Sequence, residues 1–208
     1  MRVQVKICGI TNLRDAKSAL RSGADYLGFN FYPKSPRYIA PAKAARIIQQ
    51  LPRALRAVGV FVDAPEQEVA RIAERAGLFA VQLHGSETPR TVRELARTLP
   101  VWKALRVRAN FDPGRLEKWD AAQAILLDAY GAGAKGGTGK VFDWQFAREA
   151  APFGRIVLAG GLTPENVAEA IRTAQPFAVD VASGVEQVPG KKDAQKMRAF
   201  IRAVKKIS

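Results

Sequence analysis

The chain has one cysteine and one histidine in 208 residues. A single cysteine excludes an intramolecular disulfide and a four-cysteine zinc site. With a single histidine, a cage of Cys and His metal ligands is excluded as well. No apolar run approaches the roughly 18–20 residues that a membrane span needs. Met1-Arg2-Val3-Gln4-Val5-Lys6 lacks the apolar h-region of a signal peptide. These absences lead to the expectation of a cytoplasmic protein with no bound metal and no membrane partner. There is no Ser/Pro-rich linker and no shift in composition, so residues 1–208 read as one domain.

Positive charge is plentiful. The net charge is +14, with 48% apolar and 25% charged residues. That apolar share suits a folded chain with a sizeable core rather than a disordered one. A basic surface attracts anions, from nucleic acids to phosphorylated metabolites. The basic residues are scattered, and their densest clusters are only Lys191-Lys192 and Lys205-Lys206. No basic arm interleaved with aromatics is present, so a generally basic solvated surface is the preferred reading over specific nucleic-acid binding.

Short apolar runs alternate with helix-like segments from end to end. The runs are 3–7, 26–31, 57–62, 80–83, 101–105, 124–127, 155–159 and 178–182, each the length of a buried strand. Helix starts show at Thr11-Asn12, at Pro41 and at Thr163-Pro164-Glu165, before helices over 13–20, 42–51 and 167–173. Gly23 and Gly77 sit where glycine closes a helix. Expected strand ends are Cys8, Asn30, Asp63, His84, Arg106, Asp128, Gly160 and Ser183. Most steps between them are about 22 residues, one strand and one helix, and two are about ten longer. The extra residues fall after strand 2 (31–40) and after strand 6 (129–142). Eight such units predict an α/β fold, a (β/α)8 TIM barrel, whose post-strand loops form the active-site face. An open doubly wound sheet is the competing fold, but a first-turn phosphate fingerprint is missing.

Period-two alternation puts Gln4, Lys6 and Cys8 on one face of strand 1 and Val3, Val5 and Ile7 on the other. The polar set then points into the barrel, with Cys8 at its rim. A free cysteine is usually an inert core residue. A cation two residues away is expected to lower the thiol pKa, making Cys8 a candidate base or nucleophile. Asp128 is the sole carboxylate of Ile125-Leu126-Leu127-Asp128. It is either an N-cap or turn aspartate or a group placed to give or take a proton. Arg37, in a loop stiffened by Pro33 and Pro36, is either a solvated arginine or a fork for a carboxylate or phosphate. His84 is a pocket wall or a satisfied structural imidazole.

Glycine needs sorting. The stretch from Gly131 to Gly136 matches GxGxxG by letters, yet Gly137-Thr138-Gly139 follows it instead of a helix. Gly139-Lys140-Val141 lacks the Ser/Thr of a Walker loop. The stretch reads as a mobile loop whose Lys135 and Lys140 suit an anion. Gly160-Gly161 ends strand 7 and Ser183-Gly184 ends strand 8. Loops after strands 7 and 8 are where such barrels commonly hold phosphate.

Lys6-Ile7-Cys8-Gly9-Ile10-Thr11, the loop 31–37, and segments 81–85, 127–144, 158–167 and 180–190 together resemble the phosphoribosylanthranilate isomerase family. Val141 departs from it, since threonine is expected after Gly139-Lys140. The resemblance implies an Amadori rearrangement in tryptophan biosynthesis, with Cys8 as general base and Asp128 as general acid. It implies that Arg37 holds the anthranilate carboxylate and that Gly160, Gly161, Ser183 and Gly184 hold the phosphate. His84 and Asp180 are expected to bind substrate too, Asp180 near the mouth through sugar hydroxyls. No cofactor is implied, because the substrate iminium is itself the electron sink. The expected partner is a small phosphorylated molecule, and the chain a monomer or homodimer. The rivals are another phosphate-sugar barrel enzyme, which would want more histidines or an acidic magnesium cluster, and a nucleic-acid-binding module.

Overall fold

The computed structural model describes residues 2–107, 111–128 and 144–207. Eight parallel strands close into a barrel in sequence order: β1 (Gln4–Cys8), β2 (Tyr26–Asn30), β3 (Arg56–Phe61), β4 (Ala80–Leu83), β5 (Val101–Arg106), β6 (Ala124–Asp128), β7 (Ile156–Ala159) and β8 (Ala178–Val181). Around them run α1 (Leu13–Ser22), α2 (Pro41–Ile48), α3 (Glu66–Ala76), α4 (Pro89–Ala96), α5 (Gln145–Glu149), α6 (Val167–Ala174) and α7 (Ala194–Lys205).

Local chemistry starts or stops the first three helices at expected positions. The Asn12 side chain accepts from the Asp15 N–H at 2.9 Å and caps α1. Gly23 closes that helix at φ 100°, and Gly77 closes α3 at φ 66°. Pro41 occupies the first turn of α2.

The alternation along β1 holds in space. Val5 and Ile7 join the larger apolar cluster between strands and helices. The bore is filled by a second cluster that includes Tyr26, Val58, Ala80, Trp102, Ala124, Leu126, Val157 and Ala178. Its many small side chains leave room for two long polar ones, Lys6 and Gln82, both almost wholly buried.

Three details depart from expectation. Several strands end one or two residues early: β3 at Phe61, β4 at Leu83, β7 at Ala159 and β8 at Val181. The next residues turn away into the loops, Asp63 with a left-handed φ of 50°. After β5 the first helical element described is a 3-10 helix, Pro113–Trp119, where an α-helix was expected. Pro113 and Gly114 are the poorest α-helix formers, which accounts for the tighter turn. After β8 an unforeseen antiparallel pair forms, β9 (Glu186–Val188) and β10 (Lys191–Lys192), joined through Pro189-Gly190.

Candidate active site

A cavity of about 290 Å³ opens at the C-terminal ends of the strands. Cys8, Gln82, His84, Asp128, Asp180 and Arg37 line it, with Gly160, Gly161 and Ser183 on one side. Larger hollows of about 660 Å³ against α1 and about 830 Å³ at the opposite end contain neither the thiol nor Asp128. Side-chain chemistry, and not size, locates the site.

Cys8 ends β1 and is buried. Directly beside it in register is Gly28 of β2. A Cβ at position 28 would lie 2.8 Å from Cys8 Sγ and 3.1 Å from Lys6 Nζ. The absent side chain is what allows thiol and ammonium to share that space. Burial pushes the Cys8 thiol above its ordinary pKa, with Asp180 adding to the effect, while Lys6 and Lys192 pull it down. A lowered thiol was expected from Lys6 alone. The cations act in that direction, but desolvation outweighs them.

Asp180 was expected near the mouth. It lies inside the bore on β8, 8% exposed, and accepts from Lys6 Nζ at 3.0 Å. Burial opposes the Lys6 charge, but Asp180 and an ionised Cys8 outweigh it and hold the ammonium above the ordinary lysine value. On the far wall, Asp128 ends β6 and its Oδ2 lies 3.3 Å from His84 Nε2. The two are close, without the alignment of a hydrogen bond. Both side chains keep partial exposure to the cavity mouth, 23% and 18%.

Arg37 is not a solvated loop arginine. Asn30 orders its loop: the Asn30 amide donates to Ser35 Oγ at 3.1 Å, and its carbonyl accepts from the Tyr32 N–H at 2.9 Å. Ser35 Oγ in turn accepts from the Arg37 N–H. The guanidinium then donates twice to Glu186, from Nε at 2.9 Å and Nη2 at 2.7 Å. Glu186 Oε1 also accepts from Lys192 Nζ at 2.9 Å, and that ammonium reaches the Ala182 carbonyl at 3.0 Å. The reading of Lys191-Lys192 as surface charge is therefore wrong for Lys192, which is 3% exposed. Burial lowers its pKa against the opposing pull of Glu186. The sequence reading missed Gln82, which lines the cavity, and the Glu186 and Lys192 pair that holds Arg37.

Gly160 and Gly161 adopt φ 88° and 67°, conformations that favour glycine and let the backbone approach a ligand closely. Gly184 packs so tightly on the Leu162 carbonyl that a Cβ there would collide with it. The loops after β7 and β8 thus form one glycine-lined surface beside the cavity. Lys135, Lys140 and the departure at Val141 lie outside the described residues. Among the described residues, no three His, Cys, Asp or Glu side chains converge as a metal site would.

The N-(5'phosphoribosyl)anthranilate (PRA) isomerase family model matches residues 5–203. The chain belongs to that family. An N-(5'-phosphoribosyl)anthranilate isomerase of Geobacter sp. (strain M21) is 52% identical over 205 residues, 99% of each chain. The crystal structure of the phosphoribosyl anthranilate isomerase from Thermotoga maritima superposes with a TM-score of 0.91 at 46% identity, covering 98% of this chain and 99% of that one. A phosphoribosyl anthranilate isomerase was also solved in complex with reduced 1-(o-carboxyphenylamino)-1-deoxyribulose 5-phosphate, with a TM-score of 0.88, 44% identity and 98% and 99% coverage. The isomerase family thus shares this barrel from end to end.

Proposed function

We propose that the chain isomerises N-(5'-phosphoribosyl)anthranilate to 1-(2-carboxyphenylamino)-1-deoxyribulose 5-phosphate, the third step from chorismate in tryptophan biosynthesis. The observation that carries the reading is one cavity bearing the Cys8 thiol and the Asp128 carboxyl on separate walls beside the glycine-lined loops. Asp128 gives a proton to the ribose ring oxygen, and the C1–O bond breaks to leave a Schiff base. Cys8, as thiolate, removes the proton from C2, and the electrons of that C–H bond flow to the iminium nitrogen. The enolamine formed tautomerises to the ketone. The iminium is the electron sink, so no cofactor enters the scheme.

Arg37, held by Glu186, faces the anthranilate carboxylate. The backbones of Gly160, Gly161, Ser183 and Gly184 face the phosphate. His84, beside Asp128, and Asp180, beside Lys6, contact the sugar. The partner is a small phosphorylated molecule, met in the cytoplasm. Among the described residues no helix is long and apolar enough to cross a membrane.

The test is a fluorescence assay with freshly generated phosphoribosylanthranilate, run beside Cys8→Ser. Rapid loss of substrate fluorescence with the wild type and a near-flat trace with the variant are expected. No turnover by the wild type, or equal turnover by both, defeats the proposal.

A further inference from the structure

Among the described residues, two buried side-chain atoms have no hydrogen-bond partner: Gln82 Oε1 and His84 Nε2. They lie two residues apart on one interior face and line the same cavity as Cys8 and Asp128. His84 Nε2 has the Asp128 carboxylate 3.3 Å away. Gln82 is buried more deeply than His84. It is 2% exposed, and its register partners are Val60 on β3 and Trp102 on β5. Valine has no donor to offer. The Trp102 indole N–H already donates to Gln123 Oε1 at 3.2 Å.

Buried amide oxygens are nearly always paired, because dehydrating one without a partner is unfavourable. Packing alone does not call for glutamine here, since methionine or leucine would fill the space with no polar atom to satisfy. A donor supplied by the ligand resolves the contradiction.

We infer that Gln82 is a substrate-binding residue whose amide oxygen accepts a hydrogen bond from the bridging N–H of the substrate. The inference rests on the function proposed above. That N–H sits on the carbon next to the one that loses its proton to Cys8. It becomes an iminium N–H⁺ as the ring opens, and hydrogen bonds to a cationic donor are stronger than neutral ones. The contact therefore tightens as charge develops, and that raises turnover rather than merely affinity. A sugar hydroxyl is the competing donor, and the ligand pair below separates the two.

The test uses Gln82→Met in the full chain, with kinetics, thermal unfolding and ligand binding. Turnover is expected to fall about 10- to 100-fold, with a smaller change in KM. The Tm is expected to hold or rise, because an unpaired buried oxygen is gone. The binding probes are the reduced product analogue and its ether counterpart, with the bridging N–H replaced by oxygen. The wild type should prefer the amine, and Gln82→Met should bind both alike.

A kcat within about twofold of wild type overturns the role. A falling Tm alongside the lost activity overturns it too, since Gln82 would then be structural. An amine preference that survives in Gln82→Met overturns the assigned donor. A wild type without isomerase activity instead defeats the function proposed above, so the two failures are distinguishable.

Discussion

Lys6 Nζ lies 3.0 Å from Asp180 Oδ1 inside the barrel, with side-chain exposures of 0% and 9%. The pair sits just beneath Cys8, whose thiol feels both charges. Breaking such a pair by removing one partner leaves an uncompensated buried charge, at a cost of about 3–5 kcal/mol. Lys6→Met should therefore lower the Tm. It should also shift the rise of kcat/KM to higher pH, because burial and Asp180 are then opposed only by the weaker pull of Lys192. Wild-type kcat/KM itself should climb with pH through a value above the ordinary thiol pKa, as the buried Cys8 demands. The same shift contributes stability that is fully present below the ordinary thiol pKa and is lost as pH rises through the folded value. A kcat/KM profile that levels off below the ordinary thiol range would rule out this account.

The second expected outcome concerns Gly28. Adding a methyl there places carbon 2.8 Å from the sulfur and 3.0 Å from Cys8 Cα, tighter than van der Waals contact permits. Overpacking of this kind costs about 1–3 kcal/mol, which a folded barrel survives. Catalysis is less forgiving, since a misplacement of about 1 Å can cost about 100-fold. Gly28→Ala should thus retain its circular dichroism spectrum and lose most of its kcat. Wild-type turnover in that variant would mean the thiol position is unimportant.

Glu186 links the Arg37 loop to the strap after β8. Burial works against its carboxylate, but Arg37 and Lys192 outweigh it and hold its pKa below the ordinary glutamate value. A lowered carboxyl contributes stability above the ordinary pKa and loses it as pH falls through the depressed folded value. Glu186→Gln should therefore unfold earlier than wild type at neutral pH, with the difference shrinking in acid. With the guanidinium no longer clamped, KM should rise more than kcat falls. Urea titrations at several pH values, with kinetics beside them, check both. A stability gap that does not change with pH would remove the ion pair from the explanation.

Strand periodicity made the barrel and several site positions legible in the linear chain. Cys8 and Asp128 stood out as polar residues ending apolar strands, and an inward-facing polar face on β1 held in three dimensions. Gln82 carried the same signal, a polar residue on the inner face of Val81-Gln82-Leu83-His84, and it was overlooked beside the histidine. Lys192 and Glu186 left no such trace. Each is charged, and the contacts that cover them come from segments distant in sequence, such as the Arg37 loop for Glu186 and Asp15 of α1 for Lys192. Pairing across 149 residues, as between Arg37 and Glu186, has no local pattern to read.

In the proposed reaction Asp128 and Cys8 act at different steps, and isotopes should tell them apart. Asp128→Asn keeps the shape but has no acidic proton for the ring oxygen. Cys8→Ser replaces a thiol with a far weaker acid. Each loss should lower kcat by about 10²–10⁴-fold, the usual contribution of a proton-transfer group. The Tm should be little changed, since both side chains line a cavity and are not packed in the apolar clusters. Deuterium at C2 of the substrate then separates the roles. In Cys8→Ser, proton removal limits the rate and a full primary isotope effect should appear. In Asp128→Asn, ring opening becomes slow and the effect should shrink towards unity. The reverse pattern would exchange the two assignments, and equal effects in both variants would show that neither residue has the step given to it here.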